Sequence, residues 1–183
     1  MKYQNTIRLK DGRTCVLRSC RAEDAEEVLR VFLSNLGQTD FLIAYPDEIH
    51  LTVEQETDYL RRQDESPDEA MILAIVDGTL VGSADVDRLR GREKTRHRCG
   101  FGVSIDRAYW GLGIGRGLTE ACIACAKKAG YLQMELEVVS ENRRAIALYK
   151  SVGFVEYGRN PMALRSRISG WQENILMRLE LDV

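Results

Sequence analysis

Gly102-Val-Ser-Ile-Asp-Arg-Ala-Tyr-Trp-Gly-Leu-Gly-Ile-Gly-Arg-Gly117 is the stretch on which the reading of this chain turns. Phe101, Val103 and Ile105 alternate with small or polar residues, which predicts a strand over 97–106. The period then becomes helical: Leu118, Cys122, Ile123 and Ala126 share one face of a helix expected over 115–129, and Gly130 stops it. Between strand and helix stand the glycines 111, 113, 115 and 117. Backbone N–H groups free of side-chain obstruction thus gather beside a helix N-terminus, a cradle for an anion such as a pyrophosphate. A dinucleotide turn, G-x-G-x-x-G, fails here at its third glycine, and the Lys-Ser/Thr that ends a Walker loop is absent.

Outward from this stretch the elements follow in order. Asp11-Gly12 marks a turn before a strand over 14–19, and a helix over 21–33 buries Ala25, Val28, Leu29, Phe32 and Leu33, with Gly37 as its stop. Residues 38–51 lack a period and read as an ordered loop. Thr52 with Gln55 forms a capping box for a helix ending near Gln63. Strands over 70–76 and 79–87 flank Asp77-Gly78, a strong hairpin signal. After the helix over 115–129 come a strand at 134–139, a short helix at 142–151, and strands at 154–157 and 172–181. The order β-α-α-β-β-β-α-β-α-β-β is an α+β sheet with helices on its faces. It fills one domain over 1–183, without repeat or linker.

Composition narrows the task. The 183 residues are 44% apolar and 30% charged with a formal charge of −2, so the basic field of a nucleic-acid binder is missing. The longest mainly apolar run, 118–126, is interrupted by Glu120 and far shorter than the roughly 20 residues that span a bilayer. No membrane contact is expected, and five cysteines without a signal-peptide run point to the cytoplasm. Two histidines, His50 and His97, lack zinc-ligand spacing, so no metal is expected. Cys122 and Cys125 form C-x-x-C inside a helix and read as apolar fillers over a redox pair. His97 and the cluster Arg88, Arg90, Arg92, Lys94, Arg96 read as solvated charge.

Two motifs carry a resemblance. Trp110-Gly-Leu-Gly113-Ile-Gly115 is similar to the R/Q-x-x-G-x-G/A signature of the GCN5-related N-acetyltransferases, and Asn142-Arg-Arg-Ala145-Ile-Ala-Leu-Tyr149-Lys-Ser-Val-Gly153-Phe154 resembles the family's N-x-x-A-x-x-x-Y-x-x-x-G-F. The resemblance implies a mixed, mostly antiparallel sheet with a splayed central strand pair and helices on both faces. It implies acetyl-CoA as cosubstrate and a primary amine of a small molecule or protein as acceptor, attacked directly in a ternary complex. Coenzyme A would lie on Val103, Ser104, Ile105, Trp110, Gly111, Leu112, Gly113, Ile114, Gly115, Arg116 and Gly117, with Asn142 and Ala145. Tyr149 would protonate the departing thiolate, since a phenol stays protonated at neutral pH.

The base is less determined. Many members carry a glutamate two residues before the position of Gly102, where this chain has Cys99-Gly100-Phe101. Glu137, Asp85 or a water chain would serve instead, Glu137 being the residue carried forward. Trp110 replaces the usual Arg or Gln, and its indole is expected beneath the loop. The stretch Phe41-Leu-Ile-Ala-Tyr-Pro-Asp-Glu48 would wall the acceptor site, with Tyr45 and Asp47 facing a cationic amine. A homodimer is expected by analogy, and the rival function is a non-catalytic acyl-CoA-binding or sensing domain.

Overall fold

Asp77 and Gly78 both take positive φ, 51° and 79°, as a two-residue hairpin turn demands, and they join β3 (Ala70–Val76) to β4 (Thr79–Arg88). The computed structural model describes residues 2–89 and 91–182; Arg90 of the arginine cluster lies outside them. The other strands are β1 (Gln4–Arg8), β2 (Thr14–Ser19), β5 (Arg98–Ile105), β6 (Gln133–Val139), β7 (Val155–Ser166) and β8 (Gly170–Glu180). The helices are α1 (Ala25–Gln38), α2 (Val53–Glu65), α3 (Ile114–Lys128) and α4 (Arg143–Ser151). Among the described residues the eight strands form one sheet in the order β1-β2-β3-β4-β5-β6-β8-β7, antiparallel everywhere except between β5 and β6. Among the described residues no helix is long and apolar enough to cross a membrane.

One strand and two boundaries differ most from the sequence reading. β1 was not anticipated: its five residues are exposed apart from a half-buried Ile7, so no apolar alternation announces this edge strand. Gly37 does not stop α1, which runs to Gln38 before Thr39 turns extended. β7 is three times longer than four residues. It passes Pro161 through an irregularity between Asn160 and Leu164, as an edge strand can tolerate. The capping box at α2 forms as expected, with Gln55 N–H donating to Thr52 Oγ1 at 3.2 Å and Thr52 N–H to Gln55 Oε1 at 2.9 Å.

Side-chain alternation divides the interior in two. Ile72, Ala74, Ala84, Val86, Cys99, Met134 and Leu136 face α3 with Leu118, Cys122 and Ala126. On the other face Met71 and Leu73 meet Val28 and Val31 of α1 and Leu60 of α2. All five cysteines are buried free thiols. Burial pushes the Cys122 and Cys125 thiols up, so both fill helix–sheet space as protonated groups.

Two features shape the site. β5 pairs with β6 only from Arg98↔Gln133 to Gly100↔Glu135, after which the strands part. The loop after α1 is strapped to the β7–β8 hairpin. Ser166 Oγ donates to Asp40 at 2.7–2.8 Å, Ser169 Oγ to Asp40 at 2.8 Å, and Gln172 Nε2 to the Asp40 carbonyl at 3.1 Å.

Candidate active site

The glycine-dense turn has the geometry its sequence requires. Gly111 and Gly113 hold φ of 84° and 106°, and Gly113 is the left-handed N-cap of α3. Ile114 anchors the helix start with a side chain 1% exposed. The first-turn amides of Ile114, Gly115 and Arg116 have no partner within the helix, leaving them for an anion. A Cβ on Gly115 would stand 3.3 Å from Leu148 Cδ2 and 3.5 Å from Ile105 Cδ1, so this glycine lets α3 begin close against α4 and β5.

Gly117 is different. Its N–H already donates to the Gly113 carbonyl at 3.1 Å, and a Cβ would meet Ile7 Cδ1 at 2.5 Å and Leu17 Cδ1 at 3.1 Å. It packs α3 onto the sheet and leaves the anion cradle to the three amides before it. The Trp110 indole does tuck under the loop, donating from Nε1 to the Ile105 carbonyl at 2.8 Å. Arg116 reaches Ser151 Oγ at 2.6 Å and pairs with Glu120. Arg144, not singled out in the sequence, sets its guanidinium 5.6 Å from the Trp110 ring centroid, with Nη1 4.0 Å from where a Gly111 Cβ would stand. The paired arginines at the start of the Asn142 motif were the signal for this second cation at the turn.

β5 supplies an open edge. Asp106 N–H donates to the Val81 carbonyl at 2.8 Å, and the β4–β5 register keeps the residue-number sum constant. Hydrogen-bonded pairs alternate in an antiparallel ladder, so Ser104, Gly102 and Gly100 point their backbone groups at β4. Val103 and Ile105 point theirs at the gap left by the departing β6. The Ile105 carbonyl is taken by Trp110, while the Val103 N–H and C=O face the gap, as amides of an extended ligand would require.

On the opposite side of β5 lies a cavity of 600 Å³, lined by Val28, Leu29, Phe32, Leu42, Leu51, Gln55, Glu56, Asp58, Tyr59, Arg62 and Met71 with Ser83, Asp85, Gly102, Val103 and Ser104. Asp85 stands between Ala84 and Val86, which face α3, and so it faces the α1–α2 side. Gly102 lies directly across from it in the ladder, and a Cβ there would be 3.8 Å from Asp85 Oδ2. Asp85 Oδ1 is buried with no hydrogen-bond partner. Burial, with Asp87 and Glu56 nearby, pushes its carboxyl up to about 8. Asn35 donates to Ser104 Oγ at 2.8 Å, and its own Oδ1 is buried without a partner.

Glu137 occupies another place. Its exposed carboxylate accepts from Asn174 Nδ2 at 3.0 Å on β6, and it does not line this cavity. The acceptor wall is likewise only partly as expected. Leu42 lines the cavity, but Asp47 is ion-paired to Arg167 at 2.8 Å. The Tyr45 hydroxyl accepts from Arg167 N–H at 2.7 Å and its ring lies 4.2 Å from that guanidinium. Both side chains bind the β7–β8 hairpin and are not free for an amine.

Tyr149 hangs from α4 against β5, 6.0 Å from Phe101 edge-on and 5.8 Å from Phe154. Burial pushes its hydroxyl up to about 12, keeping it protonated. Asn142 caps α4 from outside the helix: its Oδ1 accepts from Ala145 N–H at 3.2 Å. Asn142 and Ala145 therefore set the direction in which α4 presents Tyr149. The cavity's Glu56, Tyr59 and Phe32, and Asn35 behind Ser104, are functional-site residues that the sequence does not single out. The one legible sign was a glutamate in the buried i, i+4, i+7 stripe Glu56, Leu60, Gln63 of α2.

A sequence profile of the Acetyltransferase (GNAT) family matches residues 18–154. The N-alpha-acetyltransferase RimI of Mycobacterium tuberculosis is 39% identical over 93 residues, which is 51% of this chain and 56% of that protein. The L-amino acid N-acyltransferase MnaT of Escherichia coli is 28% identical over 57% of this chain and 60% of its own length. The chain thus matches little more than half the length of these curated relatives. Among solved structures, an acetyltransferase of the GNAT family from Streptococcus pneumoniae superposes with a TM-score of 0.84 at 28% identity, covering 92% of this chain and 99% of that one. The fold also matches that of yncA from Salmonella typhimurium, a structure that holds acetyl-CoA, with a TM-score of 0.81 at 19% identity over 92% and 95% of the chains.

Proposed function

The chain belongs to the GNAT acetyltransferase family, and from that premise we propose that it transfers an acetyl group from acetyl-CoA to a primary amine, by direct attack in a ternary complex. Residues 1–183 form one catalytic domain for this, working in the cytoplasm. Acetyl-CoA supplies the acetyl group already activated as a thioester. The cradle fits its pyrophosphate: Gly111 and Gly113 hold the turn open, the amides of Ile114, Gly115 and Arg116 point outward, and Arg144 and Arg116 add positive charge.

The observation that carries the reading is the unpartnered Asp85 carboxylate in a cavity that shares Val103 with the cosubstrate side. Gly100 and Gly102 leave clear the space that a side chain on β5 would take, so the carboxylate sits one strand over, on β4. Asp85 accepts the proton of the attacking amine. The Val103 N–H donates to the carbonyl oxygen as negative charge grows there. Tyr149 donates to the departing sulfur, and Phe101 and Phe154 keep its ring in place.

Replacing Tyr149 with phenylalanine is expected to lower kcat at least about tenfold with acetyl-CoA binding nearly intact, since the hydroxyl acts only as the sulfur leaves. Thiol release from acetyl-CoA in the presence of an amine panel measures this, and equal turnover in the two proteins removes Tyr149 from the role. Thermal stabilisation by acetyl-CoA with no thiol release from any amine would favour an acyl-CoA sensor. A homodimer is part of the same proposal, with β7 exposing Val155, Tyr157 and Met162 at the sheet edge. Sedimentation at twice the monomer mass is the expected result.

A further inference from the structure

Glu56 lies in the acceptor cavity, the residue being 7% exposed. Among the described residues its carboxylate has no hydrogen bond and no ion pair, and burial alone pushes its carboxyl up. A buried carboxylate without a counter-charge is strongly unfavourable, and replacing it with an apolar residue normally helps the fold. Its neighbours on α2 do not relieve it. Arg61 is paired with Asp58, and the exposed Arg62 lies against the Tyr59 ring at 5.9 Å. Gln63, one turn further along the same stripe, is by contrast engaged by Tyr59 and Asp87 at 3.1 Å each.

The cavity lining holds three carboxylates: Asp58 at the rim is paired with Arg61, the Arg62 guanidinium is laid over the Tyr59 ring, and Asp85 and Glu56 have no ion pair, beside the apolar Leu29, Phe32, Leu42 and Met71. We propose that the acceptor is a small dication: a primary amine at Asp85 whose apolar body carries a second positive charge to Glu56. The inference rests on the acetyltransferase reading of this site and names its substrate class. A monoamine leaves Glu56 buried and unpaired. An amino acid brings a further carboxylate beside the two unpaired ones. The 600 Å³ volume suits a small molecule.

Calorimetric titration of the CoA-loaded protein with α,ω-diamines of increasing length, n-alkylamines of matching carbon count and free amino acids tests this without depending on turnover. A diamine is expected to bind at least about tenfold tighter than its matching alkylamine, as a charge-assisted contact to a largely buried carboxylate allows. Glu56→Gln, which keeps volume and removes an unfavourable buried charge, should erase that preference by weakening the diamine alone. Equal binding of diamine and alkylamine, tighter binding of an amino acid, or a Glu56→Gln effect shared by all amines would overturn the proposal. Thiol release with the same compounds separates the two readings. A selectively bound diamine that is not acetylated sinks the acetyltransferase reading alone, and acetylated amines without diamine preference sink the dication alone.

Discussion

Asp85→Asn lowers kcat for acetyl transfer by about 10²–10⁴-fold at neutral pH, the loss expected when a positioned general base is removed. The asparagine keeps the shape of the side chain beside Gly102 and removes only its ability to take a proton. If Asp85 is the base, kcat/KM of the parent protein is expected to rise with pH and to level above about 8, where burial no longer keeps Asp85 protonated. The variant loses that limb. Stability supplies a second readout of opposite sign. The folded Asp85 holds its proton to higher pH than an unfolded carboxyl near about 4, so it lowers stability as pH rises from that range toward 8. The asparagine variant therefore gains in Tm over the parent more at pH 8 than at pH 5. Glu137→Gln, which disturbs only the contact with Asn174, leaves the pH limb in place. A full loss in Glu137→Gln with activity retained in Asp85→Asn would move the base to β6.

Gly82→Ala is expected to destabilise the protein by about 2–3 kcal/mol and lower Tm by about 5–10 °C. A Cβ at this position would stand 2.5 Å from the Ser104 carbonyl oxygen and 2.9 Å from Ile105 Cα. These are backbone atoms, which have no rotamer to retreat into. β4 and β5 must separate there, and with them the Ile105 carbonyl that holds the Trp110 indole under the phosphate turn. The KM for acetyl-CoA should therefore rise along with the loss of stability. Gly100→Ala, on the neighbouring strand, is the matched comparison: its Cβ would meet Leu89 Cδ2 at 3.5 Å, an ordinary contact, and the shift should stay within about 0.5 kcal/mol. Thermal melts of the two variants decide the matter, and equal Tm values would show that the strands yield.

What the sequence disclosed depended on whether the deciding physics was local. The Asp77-Gly78 turn, the Thr52–Gln55 cap and the glycines before α3 each act within a few residues, and all three are where the sequence puts them. β1 escaped notice because an exposed edge strand has no apolar face to alternate. Gly117 looked like a phosphate glycine because its reason, the Ile7 and Leu17 side chains, comes from two strands about a hundred residues earlier. Tyr45 and Asp47 looked like substrate contacts for the same cause: their partner Arg167 is 120 residues on from Asp47. Asp85 was one of several acids on strands, and only the folded register shows that it faces an empty glycine across β4 and β5 while Glu137 faces Asn174.

The parting of β5 from β6 has a consequence for how such a chain can change over generations. Every residue lining the amine cavity falls between Val28 and Ser104, whereas the phosphate turn and Tyr149 fall between Trp110 and Tyr149. The sites proposed for the two ligands lie on opposite sides of one strand and are encoded by nearly consecutive, barely overlapping lengths of gene. Recombination near the codons for β5 could exchange the taste for one amine against another while the acetyl donor's half passes through unaltered.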